Sequence, residues 1–142
     1  MKISKTASYS LNILSFMAAS EERRMSAAFL NKRLKIPYPY LRRLLVNLSK
    51  NGLISSTKGR KGGFVFNRRT DTITLSDILE ATDGLDGFKK CILGFSDCPF
   101  DTKCAMHDIW EEIRNSILTV LKSTSLKDIS KKRKKTAPEI AI

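Results

Sequence analysis

The stretch MSAAFLNKRLKIPYPYLRRLLVNLSKNGLI, residues 25–54, admits few folds. Its apolar residues keep helical spacing twice, and prolines mark the break between the two runs. Ser26 is placed to cap a short helix that carries Ala27, Leu30 and Leu34 on one side. Pro39 suits the first turn of the next helix, where its missing N–H is one the helix leaves unpaired anyway, and Pro37 precedes it in the break. The second helix turns Leu41, Leu44, Leu45 and Leu48 inward, and Gly52 supplies the left-handed residue that ends it. Two short helices with a tight turn between them are a helix-turn-helix.

The residues that follow, LISSTKGRKGGFVFNR, predict a β-hairpin with strands near Leu53–Thr57 and Phe64–Phe66. Gly59, Gly62 and Gly63 allow the positive φ angles of a tight connection. Lys58, Arg60 and Lys61 sit at its tip, where long cations reach a phosphate or a narrow minor groove. A helix-turn-helix plus a basic hairpin is a winged helix, so the fold class is mainly α with a small β-hairpin.

Charge points the same way. From Arg23 to Thr70 there are thirteen Lys or Arg and no Asp or Glu, within a chain of net charge +12. From Asp71 to Thr124 the balance reverses, with ten acidic and five basic residues. A polyanion-binding module followed by a different module is the simplest account. In a winged helix the second helix leads into the major groove with its N-terminal end. Tyr38, Tyr40, Arg42 and Arg43 are therefore the candidates for base edges or flanking phosphates of double-stranded DNA. Packing in the hinge between helices is an equal alternative for either tyrosine.

The N-terminal LNILSFMAAS, after Lys2 and Lys5, has some character of a secretory signal. Asn12 and Ser15 interrupt it, and Tyr9, Ile13, Phe16 and Met17 recur at helical spacing, which predicts an amphipathic first helix instead. No segment approaches the ~20 apolar residues of a membrane span. Three cysteines also argue against a disulfide scaffold, so a cytoplasmic protein is expected.

In the acidic half, TLSDILEATDG predicts a short helix starting at Thr74 or Ser76 and ending at Gly84. Farther on, Met106, Trp110, Ile113, Ile117 and Val120 or Leu121 alternate spacings of four and three, as in a coiled-coil seam. Two copies would bury it as a two-fold homodimer, which suits DNA with two half-sites. The alternative is a helix folded back on its own domain.

Between these two elements lie all three cysteines and the only histidine, in the pattern Cys91-x6-Cys98-x5-Cys104-x2-His107. Thiolate and imidazole ligate zinc and iron–sulfur clusters alike. Zinc knuckles usually space their cysteines two to four residues apart, so the wider gaps favour a cluster. Structural zinc, a thiol–disulfide switch and inert cysteines remain alternatives. A single histidine and no glycine-rich loop opening a helix leave no nucleophile–base constellation, so no enzyme and no small-molecule substrate are expected.

Nearly the whole chain resembles the IscR/NsrR (Rrf-type) iron–sulfur transcriptional regulators of bacteria. The resemblance rests on MKIS…Y, on YLRRLLVNLSKNGLISSTKGRKGGF, on three spaced cysteines before a long helix, and on SLKDI after it. It implies a dimeric winged-helix regulator whose cluster state controls promoter occupancy, with Cys91, Cys98 and Cys104 as ligands. His107 stands where IscR-like members carry a histidine ligand, and Ser8 where NsrR-like members carry a carboxylate. That implies a 2Fe–2S rather than a 4Fe–4S site. The family has five residues between its first two cysteines and this chain has six, an addition a loop tolerates at little entropic cost. The expected layout is a DNA-binding domain over residues 1–84, a cluster-binding loop over 85–104, a dimerisation helix over 105–126 and a basic tail over 127–142.

Overall fold

The computed structural model describes residues 2–133. Helix α1 (Lys5–Ala19) starts at Ser4, whose hydroxyl accepts the Ala7 N–H at 3.1 Å. The N-terminal segment is a helix, as its spacing predicts, but not an amphipathic one: residues 12–17 are all buried and none from Ala7 to Ala19 is exposed, so α1 is a core helix enclosed by the others. Helix α2 (Ala27–Leu34) is capped by Ser26, which accepts the Phe29 N–H at 3.0 Å. Helix α3 (Tyr38–Lys50) holds Pro39 in its first turn. The turn between α2 and α3 is set by Lys35, left-handed at φ 55°, and by Ile36, which is buried and so pins the turn to the core.

The hairpin pairs β1 (Ile54–Thr57) with β2 (Gly63–Phe66) antiparallel, from Ile54 opposite Phe66 to Thr57 opposite Gly63. Phe64 also exchanges both backbone hydrogen bonds with Met25, at 2.8 and 3.1 Å, so the stretch before α2 lines the outer edge of β2. Close backbone approaches here explain two glycines. A Cβ on Gly63 would stand 2.7 Å from the Met25 carbonyl oxygen, and one on Gly62 would strike the Thr57 carbonyl oxygen. Gly62 thus serves by its lack of bulk, not by the positive φ expected of it; Gly59 does have that conformation, at φ 107°.

Leu30, Leu41, Leu45, Leu48, Leu53, Ile54 and Ile73 close one core with α1. Each such side chain contributes about 1.5–3 kcal/mol by leaving water. Helix α4 (Leu75–Thr82) begins at Thr74 rather than Ser76, in a capping box with Asp77. A short 3-10 helix (Asp86–Phe88) leads into a stretch without helix or strand, and α5 (His107–Ser123) follows.

The basic segment after α5 does not simply trail away. Helix α6 (Leu126–Ser130) buries Leu126 against α1, and Ser125 forms a second capping box with Asp128. Arg133 then reaches back to α1, donating to Ser15 Oγ at 2.7 Å and to Asn12 Oδ1, with its guanidinium over the Phe16 ring. The rest of the expected tail, 134–142, lies outside the described residues. Two backbone bonds join the end of α5 to the start of α4: Leu75 N–H to the Thr124 carbonyl at 3.0 Å, and Leu126 N–H to the Ile73 carbonyl at 2.7 Å.

Candidate functional site

The outward side of α3 carries Arg42, Arg43, Val46 and Lys50, all exposed, with Tyr38 exposed at its start. The two tyrosines divide. Tyr40 packs edge-on against Tyr9, with ring centroids 5.4 Å apart, and its hydroxyl lies 3.3 Å from Thr6 Oγ1. The Arg43 guanidinium sits 5.6 Å above the same ring, which aims it along the helix surface. Tyr40 therefore belongs to the hinge, while Tyr38 stays free at the leading end of α3. Asn47, on the same helix, is occupied in holding the Ala81 carbonyl at 2.9 Å. Val46 and Lys50 were not among the sequence candidates. An exposed valine between two arginines and a lysine offers an apolar contact of the kind that suits a thymine methyl.

At the wing, Lys58, Arg60 and Lys61 are exposed at the tip. Arg24 donates to the Lys61 carbonyl at 2.9 Å and so braces the tip from the side. Three exposed cations beside a cationic helix face make a surface for a phosphate backbone.

The second constellation lies at the start of α5. Cys91, Cys98, Cys104 and His107 all line one cavity of about 590 Å³, whose walls include Phe95, Met106, Trp110 and Arg114. Two hydrogen bonds tie the near end of the cysteine loop to the helix. Trp110 Nε1 donates to the Lys90 carbonyl at 2.8 Å, and Arg114 donates to the Lys89 carbonyl at 2.7 Å. Cys91 is the next residue, and a turn closed by the Gly94 N–H on the Cys91 carbonyl, at 3.0 Å, carries the chain away again. At the far end the His107 N–H bonds the Cys104 carbonyl at 3.0 Å, holding that pair together at the helix start.

Three thiols and an imidazole are a donor set for iron or zinc. They share the cavity without meeting at a point. Among the described residues, the set of three donor atoms lying within 4.8 Å of one another is His107, Asp108 and Glu111. Among the described residues, no three of Cys91, Cys98, Cys104 and His107 form such a group. Ser8, half-buried on α1, does not line the cavity.

The six residues expected in one seam fall on two neighbouring stripes of α5. Trp110 is buried, and Ile117 and Leu121 pack with Leu79 and Phe88 of their own chain. Met106, Ile113 and Val120 face outward, joined by Ile109, which is 54% exposed and falls outside the four-three spacing. The helix thus has one stripe for its own domain and a second that nothing among the described residues covers. Among those residues, no helix is long and apolar enough to cross a membrane.

Comparison with known proteins agrees with this architecture. An HTH-type transcriptional regulator of Aquifex aeolicus is 34% identical over 131 residues, covering 91% of each chain. The HTH-type transcriptional regulator IscR of Xenorhabdus nematophila is 28% identical over 132 residues, covering 92% of this chain and 80% of its own. Among solved structures, CymR, the global cysteine regulator of B. subtilis, superposes with a TM-score of 0.78 at 27% identity, over 94% of this chain and 99% of that one. These relatives are regulators rather than enzymes, and their fold is the winged helix built above. The Rrf2 family, described as iron-dependent transcriptional regulators, matches residues 3–132, and the chain belongs to it.

Proposed function

We propose that this chain is a homodimeric transcriptional regulator that binds promoter DNA under control of an iron–sulfur cluster held by Cys91, Cys98, Cys104 and His107. One observation carries the reading: the only histidine and all three cysteines line a single cavity at the start of α5. A two-iron cluster distributes its four protein ligands over two metals, so the gaps of six and five residues between the cysteines suit it better than one zinc ion. The similarity to IscR supports the same choice. When bound, the cluster supplies a junction between loop and helix that is sensitive to redox state, nitric oxide or cluster supply.

The chain's own residues supply the route from cavity to DNA. Trp110 and Arg114 clamp the loop onto α5, and the end of α5 is bonded to α4 and followed directly by α6. Helix α6 lies on α1, at the centre of the winged-helix core. The outer stripe of Met106, Ile109, Ile113 and Val120 offers the face for a second copy. Ordering the loop would bias how two α5 helices meet, and with them the spacing of two recognition helices.

Anaerobic purification with metal and sulfide analysis tests this. A coloured protein with about two irons and two sulfides per chain is expected, since cysteine thiolates hold such clusters. A colourless protein with one zinc would replace the cluster by a structural ion. A metal-free protein that loses free thiols reversibly on oxidation would make it a thiol switch.

A further inference from the structure

We infer that each subunit carries a second DNA-backbone contact, a basic cleft on the far side of the wing that grips the duplex beyond the bases addressed by α3. The inference rests on the DNA-binding reading above and adds a surface to it.

The cleft, about 840 Å³, lies between the end of α1, the Arg23–Arg24 turn, β2 and the stretch 67–71, with Lys127 of α6 at its rim. Five cations line it, Arg23, Arg24, Arg68, Arg69 and Lys127, against the two carboxylates Glu22 and Asp71. A concave wall with a net excess of positive charge focuses its potential outward more than the same charges spread over a flat face. Several of these cations are also held in place. Arg24 is fixed on the Lys61 carbonyl, and Arg68 on the Thr72 carbonyl at 2.6 Å with Asp77 at 3.3 Å. Arg69 pairs with Asp71 at 2.6 Å. Each guanidinium has five donors, so these bonds aim the group and leave others for phosphate oxygens.

Topology places the cleft where a duplex would pass. Helix α3 packs on β1, β1 pairs with β2, and β2 pairs through Phe64 with Met25. Moving away from the recognition helix, the order is therefore α3, β1, β2 and then Arg24 and Arg23. Arg24 bridges wing tip and cleft, so the positive surface is continuous between them. Strands lie about 4.8 Å apart, so two strand steps beyond β1 correspond to about three base pairs of flank.

The test uses the full chain and a duplex selected by it from a randomised library, then trimmed pair by pair from both ends. The variant is Arg23→Gln with Arg69→Gln and Lys127→Gln, which spares the wing brace Arg24. The wild type should bind the untrimmed duplex more tightly, an advantage that fades with salt. The variant should lose that advantage while matching wild type on the trimmed duplex. Its plot of log K against log salt on the long duplex should flatten by about 0.9 for each phosphate that is no longer neutralised. No length advantage in the wild type, or an advantage that survives in the variant, would overturn the inference. Equal weakening on both duplexes would place the cleft inside the minimal footprint and overturn it too. If no duplex is selected, the DNA reading itself fails and this surface falls with it.

Discussion

The winged helix and the cysteine loop are built on opposite terms. Between Ser4 and Phe66 the chain closes a core through capped helices and a paired hairpin, and Leu30, Leu41, Leu45 and Leu48 are fully buried. From Lys89 to Met106 there is neither helix nor strand, no residue is buried, and Ile92, Leu93, Phe95 and Phe100 stand 43–52% exposed. A stretch of that length with so little burial is uncommon in a compact domain, and where it occurs it is usually functional. The difference is one of what supplies the order. The DNA-reading half takes it from its own packing, whereas the loop depends on hydrogen bonds to α5 near its two ends and on whatever its thiols hold.

The largest effect should come from cutting the core. Leu45→Ala leaves a cavity beneath the recognition helix and should cost about 3–5 kcal/mol in chemical denaturation. Leu93→Ala in the loop should stay within about 0.5 kcal/mol on the metal-free protein, as surface changes usually do. A comparable loss at Leu93 would break the contrast, because the loop would then be a packed part of the domain.

Next in size is the division of α5. Trp110→Ala should cost about 3–5 kcal/mol within one chain, since its ring is buried and its N–H holds the loop. Ile113→Asp should leave chain stability nearly unchanged but convert dimer to monomer, read by sedimentation. A dimer that survives Ile113→Asp would remove the outer stripe from the interface and turn the reading of α5 back to a helix that only covers its own domain.

These two residues also show where the sequence is legible. Capping and breaking residues have local chemistry, so Ser26, Pro39 and Gly52 place α2 and α3 almost to the residue. Periodicity alone gave α5 its helix but merged two neighbouring stripes into one seam. Which stripe meets the chain's own Leu79 and Phe88 depends on tertiary packing that no spacing encodes. Helix α6 was hidden inside a basic tail, although Ser125 and Asp128 carry the capping-box signature that would have exposed it. The four ligand candidates were visible as residue types at a spacing. That they line one cavity follows from Trp110 and Arg114 reaching the Lys90 and Lys89 carbonyls, which is a long-range event.

A smaller effect should arise where the two halves meet. Thr74→Ala removes the hydroxyl that accepts the Asp77 N–H at 3.2 Å, at the point where α4 is bonded to the end of α5. Loss of such a cap costs about 1 kcal/mol. Hydrogen exchange should show the change at both the start of α4 and the Thr124–Leu126 backbone. Exchange confined to α4 would mean that the junction transmits nothing.

The smallest expected effect is a pH dependence at the second junction. Hydrogen bonds from the Ser125 hydroxyl and backbone N–H hold the Asp128 carboxyl below the usual aspartate range, with help from Lys131. A carboxyl whose pKa is lower in the folded chain binds its proton more readily once unfolded. Its contribution is therefore fully present above the unfolded value, near 3.8, and is lost as pH falls through the lower folded one. The box caps α6, and α6 carries Leu126 into the α1 core, so acid should loosen α6 while leaving the wing intact. Asp128→Asn should show reduced protection of α6 at neutral pH and little further loss on acidification. The direct measurement is the Asp128 titration by carbon-detected NMR beside exchange at the Ile129 and Lys131 amides, which bond back to Ser125 and Lys127. An Asp128 titrating at the ordinary aspartate value, with protection factors indifferent to pH, would show that α6 is held by Leu126 and Arg133 alone.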